Sequence, residues 1–255
     1  MPTPAENREV PATAPATEPF RREVVSFTRR GGRLTERQQK AWDDLADRFV
    51  VDVPRGRTST SAAEGFTLEP TELFGRTAPL VLEIGSGRGE ALVHAAASDP
   101  ATDFLGLEVY VPGVAQTLVT LRDQQGRHEG VDNVRLAVLD AVPALTSVLP
   151  PASVDELRLW FPDPWHKKRH HKRRLVTDEL VPLVHRVLRP GGVWRMATDW
   201  QDYADQMLDV LIRAEGFTTS GTWDERFAGR PVTRFEAKGV RAGRAIRDLS
   251  ARRDG

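Results

Sequence analysis

The chain has 255 residues, 40% of them hydrophobic, and its 36 basic and 36 acidic side chains give a formal net charge of zero. This length suffices for one α/β domain with a full core and an appended arm. The absence of cysteine excludes disulfides, zinc ribbons, iron–sulfur clusters and thiol nucleophiles, and it fits a reducing, cytoplasmic location. The sequence has no run of about 18 apolar residues, so we expect no membrane-spanning helix.

The charges are unevenly distributed along the chain. His166 to Arg174 reads HKKRHHKRR, with six cations, three histidines and no acid. Arg226 to Arg253 contains nine lysines and arginines against Glu236 and Asp248. A chain polarised in this way can bind a polyanion with one face despite its neutral sum.

The N-terminal part has few signals of regular structure. Residues 1–19 are rich in Pro, Ala, Thr and Glu, which predicts a disordered tail, and they lack the basic start and apolar centre of a signal peptide. Residues 20–79 are expected to form an N-terminal arm. Within it, Thr35 and Gln38 have the spacing of a capping box, which predicts a helix to about Phe49.

After a mostly irregular stretch over Pro54–Pro79, short apolar runs alternate with helical stretches. The predicted strands are Leu80–Ile84, Asp103–Glu108, Val134–Leu139, Glu156–Phe161 and Gly192–Ala197. The predicted helices are Glu90–Ala97, Val111–Gln125, Pro143–Leu149, Leu175–Leu188 and Gln201–Ala214.

This succession predicts an α/β domain over residues 80–255, with a doubly wound, mostly parallel, Rossmann-like sheet of about seven strands and helices on both faces. Pro190-Gly191-Gly192 predicts a tight turn between a helix and a strand. Strand signals after Phe217 and around Thr233–Glu236 are expected to complete the sheet.

Ligands of such sheets bind beyond the carboxyl ends of the strands. The polar residues expected at those ends are Glu83 to Gly89, Glu108, Asp140, Asp163 and Asp199.

The first strand runs into a glycine-rich loop. Gly85, Gly87 and Gly89 permit a tight turn and a close approach of a ligand to the backbone. A dinucleotide fingerprint requires a third glycine where this chain has Glu90, whose charge would repel a pyrophosphate, so NAD is disfavoured. The Gly-Lys-Ser/Thr ending of a phosphate-binding loop is absent.

The acidic strand ends instead suit S-adenosylmethionine, which carries a sulfonium, an ammonium, a ribose diol and an adenine but no phosphate. Glu108 is placed to accept both ribose hydroxyl protons. Asp140 is placed to meet the adenine amino group, and Glu83 to meet the amino-acid end. Any one of these acids alone could be a solvated loop residue, but the glycine loop with two acids at the appropriate strand ends favours the cofactor.

The run after the fourth strand combines an acid, aromatic rings and cations. Pro162 and Pro164 bracket Asp163 and stiffen the backbone on both sides, so we expect Asp163 near the transferred methyl. Three aromatic residues offer faces for stacking a base, and the cations that follow offer contacts to phosphates; the aromatic residues are Trp160, Phe161 and Trp165.

This run resembles the signature of the bacterial tRNA (guanine-N7-)-methyltransferase family, and the resemblance extends from about Phe20 to Leu249. Other segments similar to the family are Ser26–Arg30 with Gly32–Thr35, Gly106–Val109 with Pro112–Val114, Asp140–Val142, Ala197–Trp200 and Arg230–Glu236. Two parts depart from it. The first twenty residues have no recognised counterpart, and Pro54–Glu69 is longer and more polar than usual.

The resemblance implies transfer of a methyl group from S-adenosylmethionine to N7 of a guanine in the tRNA variable loop (position 46 in tRNA numbering), with tRNA as partner. It implies Asp163 as the active-site aspartate, and the full set of expected cofactor-binding residues is Glu83, Gly85, Gly87, Glu108, Asp140 and Asp163. The implied substrate-binding residues are Lys167, Asp199, Thr233, Arg234, Phe235 and Glu236. The implied RNA contacts are Arg169, His170, His171, Lys172, Arg173 and Arg174. No membrane, metal or obligate protein partner is implied, and the chain is expected to be a monomer or homodimer.

Several alternatives stay open at this point. A methyltransferase of a small molecule or protein would need no basic track, and a non-catalytic RNA-binding protein would not need Asp163 or the glycines. A metal site at His166 and His170 is disfavoured, because the six cations surround them and no carboxylate lies nearby in sequence. Whether Asp163 or Asp199 holds the guanine edge is left undecided.

Overall fold

The structure is a computed structural model that describes residues 32–125 and 130–255. The predicted tail and the Ser26–Arg30 motif lie outside the described residues. The helices are α1 Glu36–Phe49, α2 Pro70–Phe74, α3 Glu90–Ser98, α4 Val111–Gln125, α5 Ala141–Pro143, α6 Val181–Val187, α7 Gln201–Arg213 and α8 Arg234–Arg241. The strands are β1 Leu80–Ile84, β2 Asp103–Leu107, β3 Val134–Ala137, β4 Val154–Trp160, β5 Leu188–Thr198, β6 Phe217–Thr219 and β7 Arg247–Arg253.

The seven strands form one sheet in the order β3-β2-β1-β4-β5-β7-β6, parallel except for β7. Alternate residues of β1 pack into the apolar cores on opposite faces of the sheet. Val81 packs with α1, α3 and α4, whereas Leu80 and Leu82 pack with α6 and α7. The predicted doubly wound, Rossmann-like sheet with helices on both faces is therefore confirmed, and the parallel strands bring their carboxyl ends to one edge.

The arm helix α1 begins as the sequence predicts. The Thr35 side chain accepts from the backbone N–H of Gln38 (3.3 Å), and the Gln38 side chain accepts from the backbone N–H of Thr35 (3.0 Å), which completes the capping box. Phe49 is buried at the end of α1, which packs on α4. The Pro54–Pro79 stretch is mostly irregular, with the short helix α2 inside it.

The prediction of a strand around Thr233–Glu236 is wrong, because this segment begins helix α8. The Thr233 side chain accepts from the backbone N–H of Glu236 (3.2 Å), the first half of a capping box that the Thr-x-x-Glu spacing encodes. The predicted strand after Phe217 is confirmed as β6, and β7 lies between it and β5. Arg247–Arg253 was not predicted as a strand because charged residues interrupt its apolar ones, although β7 lies between two partners.

Most other predicted bounds agree to within two residues, and three elements differ more from the prediction. Helix α6 begins at Val181 rather than Leu175, because Pro182 has no N–H and fits only the first turn. Pro190–Gly192 is a bulge within β5 rather than a turn before it, since the register with β4 shifts there. The predicted helix Pro143–Leu149 is the end of α5 followed by a π-helical turn, Ala144–Val148.

Candidate active site and RNA-contact segment

The glycine loop between β1 and α3 is held in a shape that only glycines adopt without strain. Gly85, Gly87 and Gly89 have φ values of +70°, +57° and +71°. A Cβ on Gly89 would lie 2.3 Å from the Thr117 side chain, and a Cβ on Gly113 of α4 would lie 2.6 Å from the Gly87 carbonyl oxygen. Close packing against α4 therefore fixes the loop, as a ligand-cradling turn requires.

Glu83 is the most deeply buried of the predicted cofactor-binding acids, with 2% exposure. Burial raises its pKa to about 7, against the opposing positive charge of Arg158 and a hydrogen bond from the Trp160 side chain. Its Oε2 has no hydrogen-bond partner among residues 32–125 and 130–255, and nor does the nearby Ser86 Oγ. A buried, unsatisfied carboxylate is costly in isolation, which makes Glu83 a strong acceptor for a cationic ligand group.

Glu108 follows β2 and faces the glycine loop. Its Oε2 accepts from the backbone N–H of Gly87 and its Oε1 from that of Tyr110, both at 2.8 Å. Burial raises its pKa, these backbone hydrogen bonds oppose the rise, and the negative charge of Asp163 adds to it. Glu108 is thus bonded to the glycine loop and lies close enough to Asp163 for the charge of Asp163 to act on it.

Asp140 caps α5 at the end of β3. Its side chain accepts from the backbone N–H of Val142 (3.0 Å), and its own N–H donates to the Thr60 carbonyl oxygen (2.8 Å). Thr60 is buried and belongs to the long polar segment Pro54–Glu69. Arg55 of that segment donates to the Val138 carbonyl oxygen (2.7 Å). The segment therefore covers the carboxyl end of β3 beside Asp140.

Asp163 is exposed on a loop whose backbone is strained on both sides. Phe161 and Trp165 have φ values of +51° and +48°, which for bulky residues cost about 1–3 kcal/mol each. The Phe161 N–H donates to the Ala197 carbonyl oxygen (2.7 Å), so β5 holds the start of the loop. Together with Pro162 and Pro164, these restraints fix the backbone that carries the Asp163 carboxylate.

The predicted aromatic platforms all have partners within the protein. The Phe161 ring contacts Phe235 of α8 (centroids 5.4 Å apart), and the Trp160 ring stacks on Phe227 (6.1 Å). The Arg230 guanidinium lies over both Trp160 (4.9 Å) and Phe161 (5.4 Å). This cluster joins the end of β4 to the segment that leads into α8.

The basic turn, Lys167 to Arg173, follows this loop and includes the 3₁₀ helix Lys168–Arg173. All five of its cations are exposed, and His170 and His171 are partly exposed. The Trp165 ring contacts the Arg173 guanidinium (5.0 Å). The five exposed cations follow Asp163 closely in the chain and give this segment a positive charge at the surface.

Arg174 differs from the basic turn, although the sequence groups it with the RNA contacts. It is buried, and its guanidinium donates to the Pro164 carbonyl oxygen (2.9 Å), Gln206 (2.9 Å) and Asp202 (2.8 Å). It also lies over the Tyr203 ring (4.7 Å). Arg174 thus anchors the loop of Asp163 on α7, and the inner position of its guanidinium does not favour an RNA contact.

Helix α8 and its N-cap carry four of the six predicted substrate residues, and ion pairs hold the helix in place. Glu236 is buried and accepts from Arg226 (2.8 Å) and Arg230 (3.3 Å). Burial would raise its pKa, but the hydrogen bonds and charges of these arginines outweigh it and lower the pKa. Phe235 is exposed beside Phe161, and Arg234 is exposed at the start of the helix.

Asp199, after β5, lies against the far end of α8. Its Oδ2 accepts from Arg244 Nε (2.7 Å), and a Cβ on Gly239 would lie 2.6 Å from the same oxygen. Asp199 is buried, whereas Asp163 is exposed. The two aspartates that the sequence leaves as alternatives thus differ in their access to a ligand.

Three contributions to the site are missed by sequence reasoning. Arg230 begins a segment that resembles the family, but the sequence assigns it no role of its own; in the structure it is fully buried and also donates to Asp248. Glu90 contacts the start of α8. The Pro54–Glu69 segment covers β3. The resemblance already implies Glu236 as a substrate-binding residue, and the Thr233–Glu236 capping pattern could have indicated that it lies on a helix rather than a strand.

Within residues 32–125 and 130–255, no helix combines the length and apolarity that a membrane crossing requires. The same residues contain no group of three or more His, Asp or Glu side chains arranged to hold a metal ion. The ring of His166 contacts Trp200 (4.1 Å) and the ring of His170 contacts Trp165 (6.0 Å).

Comparison with known proteins identifies similar sequences over most of the chain. A family described as "Putative methyltransferase" matches residues 77–249. The chain is 49% identical to a tRNA (guanine-N(7)-)-methyltransferase of Cutibacterium acnes, over 91% of this chain and 84% of that protein. It is 48% identical to the protein of the same name from a Nocardioides species, over 92% and 89% of the two chains.

Among solved structures, the 16S rRNA methyltransferase KamB has a TM-score of 0.52 at 16% sequence identity, covering 80% of this chain and 98% of that one. At this identity the similarity concerns the fold alone.

Proposed function

The chain belongs to the tRNA (guanine-N(7)-)-methyltransferase family, and we propose on that premise that its target is the guanine of the tRNA variable loop. It is an S-adenosylmethionine-dependent enzyme that methylates N7 of guanine in tRNA. The observation that best supports a large RNA substrate is the direct succession of the exposed Asp163 and the exposed cations of the basic turn. We infer that the cations bind the phosphates of the RNA and that the neighbouring Asp163 meets one of its bases.

The residues at the glycine loop fit the cofactor. The unsatisfied Glu83 Oε2 suits the ammonium end, and Glu108 and Asp140 present carboxylates at two neighbouring strand ends. Gly85 and Gly87 leave the backbone open to close approach. When bound, S-adenosylmethionine supplies an electrophilic methyl on a sulfonium.

The reaction requires little proton transfer from the protein. Guanine N7 has an in-plane lone pair and no proton, so the enzyme must mainly align N7 with the methyl. Methylation makes guanine cationic and its N1–H more acidic. A carboxylate that accepts from N1–H and the N2 amino group therefore binds more tightly as transfer proceeds, which is the condition for catalysis.

We assign that carboxylate to Asp163 rather than Asp199. Asp163 is exposed on a rigid loop, whereas Asp199 is buried and already accepts from Arg244. Asp199 then supports the substrate site indirectly, through its contact with α8. We assign substrate contact to Lys167 of the basic turn and to Thr233, Arg234 and Phe235 at the start of α8, and we assign the orientation of α8 to the buried Glu236.

We also propose the division of the chain into a catalytic domain over residues 80–255 and an arm over 20–79. The sheet and its carboxyl edge lie within the first of these ranges. From the arm, α1 packs on α4 and Pro54–Glu69 covers β3. The described part of the arm, residues 32–79, therefore packs on the catalytic domain and shares its two apolar cores.

The target is tested with methyl-labelled S-adenosylmethionine and two unmodified tRNA transcripts, one with guanine and one with adenine at the variable-loop position. We expect label only in the first, with chain cleavage at that base after mild reduction and aniline treatment. Label in both transcripts would retain the methyltransferase but reject the site in tRNA.

Replacement of Asp163 by Asn tests the assignment of the carboxylate. We expect Asp163→Asn to lower kcat about a hundredfold, as removal of one transition-state hydrogen-bonding group does, with little change in affinity for S-adenosylhomocysteine. Asp199→Asn keeps a hydrogen-bonding side chain beside Gly239 and should affect kcat less. The assignment is rejected if Asp163→Asn keeps full turnover, or if Asp199→Asn has the larger effect.

A further inference from the structure

Glu90 links two parts of the site that lie far apart in sequence. It is the first residue of α3, directly after the glycine loop. Its Oε2 accepts from the backbone N–H of Arg234 at 2.7 Å, across 144 residues of sequence, and its Oε1 lies 3.4 Å from Arg234 Nε. Glu90 thus contacts both the backbone and the side chain of the residue that begins α8.

The backbone contact satisfies a group that α8 cannot satisfy itself. The first N–H groups of a helix have no partner within the helix, and the N-terminus carries a partial positive charge. Thr233 caps the N–H of Glu236, and Glu90 accepts from the N–H of Arg234. The two residues therefore satisfy different donors of the first turn.

A helix of eight residues is too short to be stable alone, so its position depends on contacts with the rest of the protein. Arg226 and Arg230 hold α8 through Glu236, and Asp199 meets it at Gly239. These contacts attach α8 to the C-terminal half of the sheet. Glu90 attaches it directly to the glycine loop.

We propose that Glu90 is a positioning residue that sets the distance between the glycine loop and the substrate residues of α8. This inference rests on the proposed function, because Thr233–Glu236 are substrate residues only in that function. The contact is a hydrogen bond to backbone, so it depends on the length of the side chain and on its acceptor oxygen. Glu90, whose charge disfavours a dinucleotide, thereby holds the start of helix α8 in position.

Two conservative substitutions separate this role from that of a negative charge near a cationic cofactor. Glu90→Gln keeps the length and the acceptor but removes the charge. Glu90→Asp keeps the charge but shortens the side chain by one methylene. Positioning predicts that Gln is tolerated better than Asp, and a purely electrostatic role predicts the reverse order.

The test measures steady-state methylation of tRNA by the wild type and both variants, with the affinity for S-adenosylhomocysteine measured in parallel. We expect Glu90→Gln to stay within about threefold of wild-type kcat and Glu90→Asp to lose about tenfold or more, because small misplacements of reacting groups are costly. Cofactor affinity should change less than about threefold in both. Glu215→Gln, at an exposed glutamate before β6, is the matched control.

Hydrogen exchange of the α8 amides supplies a readout that does not depend on turnover. Glu90→Asp should accelerate exchange in the first turn of α8, whereas Glu90→Gln should not. If the wild type methylates tRNA but the two variants are alike, or Gln is the poorer one, the positioning role is rejected. If the wild type fails to methylate tRNA, the proposed function fails, and the exchange measurement still decides whether Glu90 holds α8.

Discussion

The basic turn and the segment from Arg226 to Arg253 look alike in the sequence, since both are rich in arginine and lysine with few acids. In the structure, the cations of the basic turn are exposed. In the C-terminal segment, Arg230 is buried between Glu236 and Asp248, and Arg226 also pairs with Glu236. The positive charges of the basic turn are accessible to a ligand. Several arginines of the C-terminal segment instead form contacts that connect α8, β7 and the end of β4.

The difference shows that a local excess of cations does not measure the charge available at the surface. Two acids are enough to neutralise the inner arginines of the C-terminal segment, because each accepts several hydrogen bonds. The basic turn has no acid of its own. The neighbouring Asp202 pairs with Arg174, the one arginine of the run that is buried (2.8 Å), and lies 3.6 Å from the ring Nε2 of His171.

The largest expected effect comes from removing Arg230. Arg230→Met leaves Asp248 and part of Glu236 as buried, uncompensated charges, which should lower the free energy of unfolding by about 3–5 kcal/mol. Urea unfolding measures the change. Arg241→Met, at an exposed arginine of α8, should change it by less than about 0.5 kcal/mol. Equal effects of the two substitutions would contradict the distinction between inner and outer arginines.

Neutralising the basic turn should affect tRNA affinity instead of folding. We expect a variant with four alanines in the turn to bind tRNA on the order of a hundredfold more weakly, with a log–log salt slope reduced by about 0.7–0.9 for each phosphate that is no longer neutralised. The substituted residues are Lys168, Arg169, Lys172 and Arg173. Binding titrations at several salt concentrations measure both quantities.

A matched variant controls for the general loss of positive charge. It replaces four cations that are paired with acids on other surfaces, namely Lys40, Arg48, Arg189 and Arg213. If this variant changes the affinity and the salt slope as much as the first one does, the basic turn is not a specific contact surface.

Arg173 is exposed and the adjacent Arg174 is buried. Substitutions at these two positions give the smallest expected effect. Arg174→Ala leaves the Pro164 carbonyl, Gln206 and Asp202 without their donor, so the free energy of unfolding should fall by about 2 kcal/mol. Arg173→Ala should change it by less than about 0.5 kcal/mol but weaken tRNA binding. If Arg173→Ala lowers the free energy of unfolding more than Arg174→Ala does, the distinction between these two arginines is contradicted.

Local sequence patterns predicted several strands and helices but missed strand β7. Alternation of apolar runs and helical stretches predicted β1 and α4 with the bounds that the structure has, and the capping box predicted α1. The β7 strand was missed because Asp248 and the flanking arginines interrupt its apolar residues. Their charges are matched by partners distant in sequence, including Arg230 and the carbonyl groups of Gly191 and Leu188.

The sequence by itself determined the fold class, the glycine loop, the acids at the strand ends and the proline-bracketed Asp163, because each depends on residues that are neighbours in the chain. Only the tertiary structure decided which cations are inner and which are outer, that Asp199 lies behind α8, and that Glu90 meets Arg234. These outcomes depend on contacts across up to 144 residues, and burial and ion pairing arise only when such distant segments pack together.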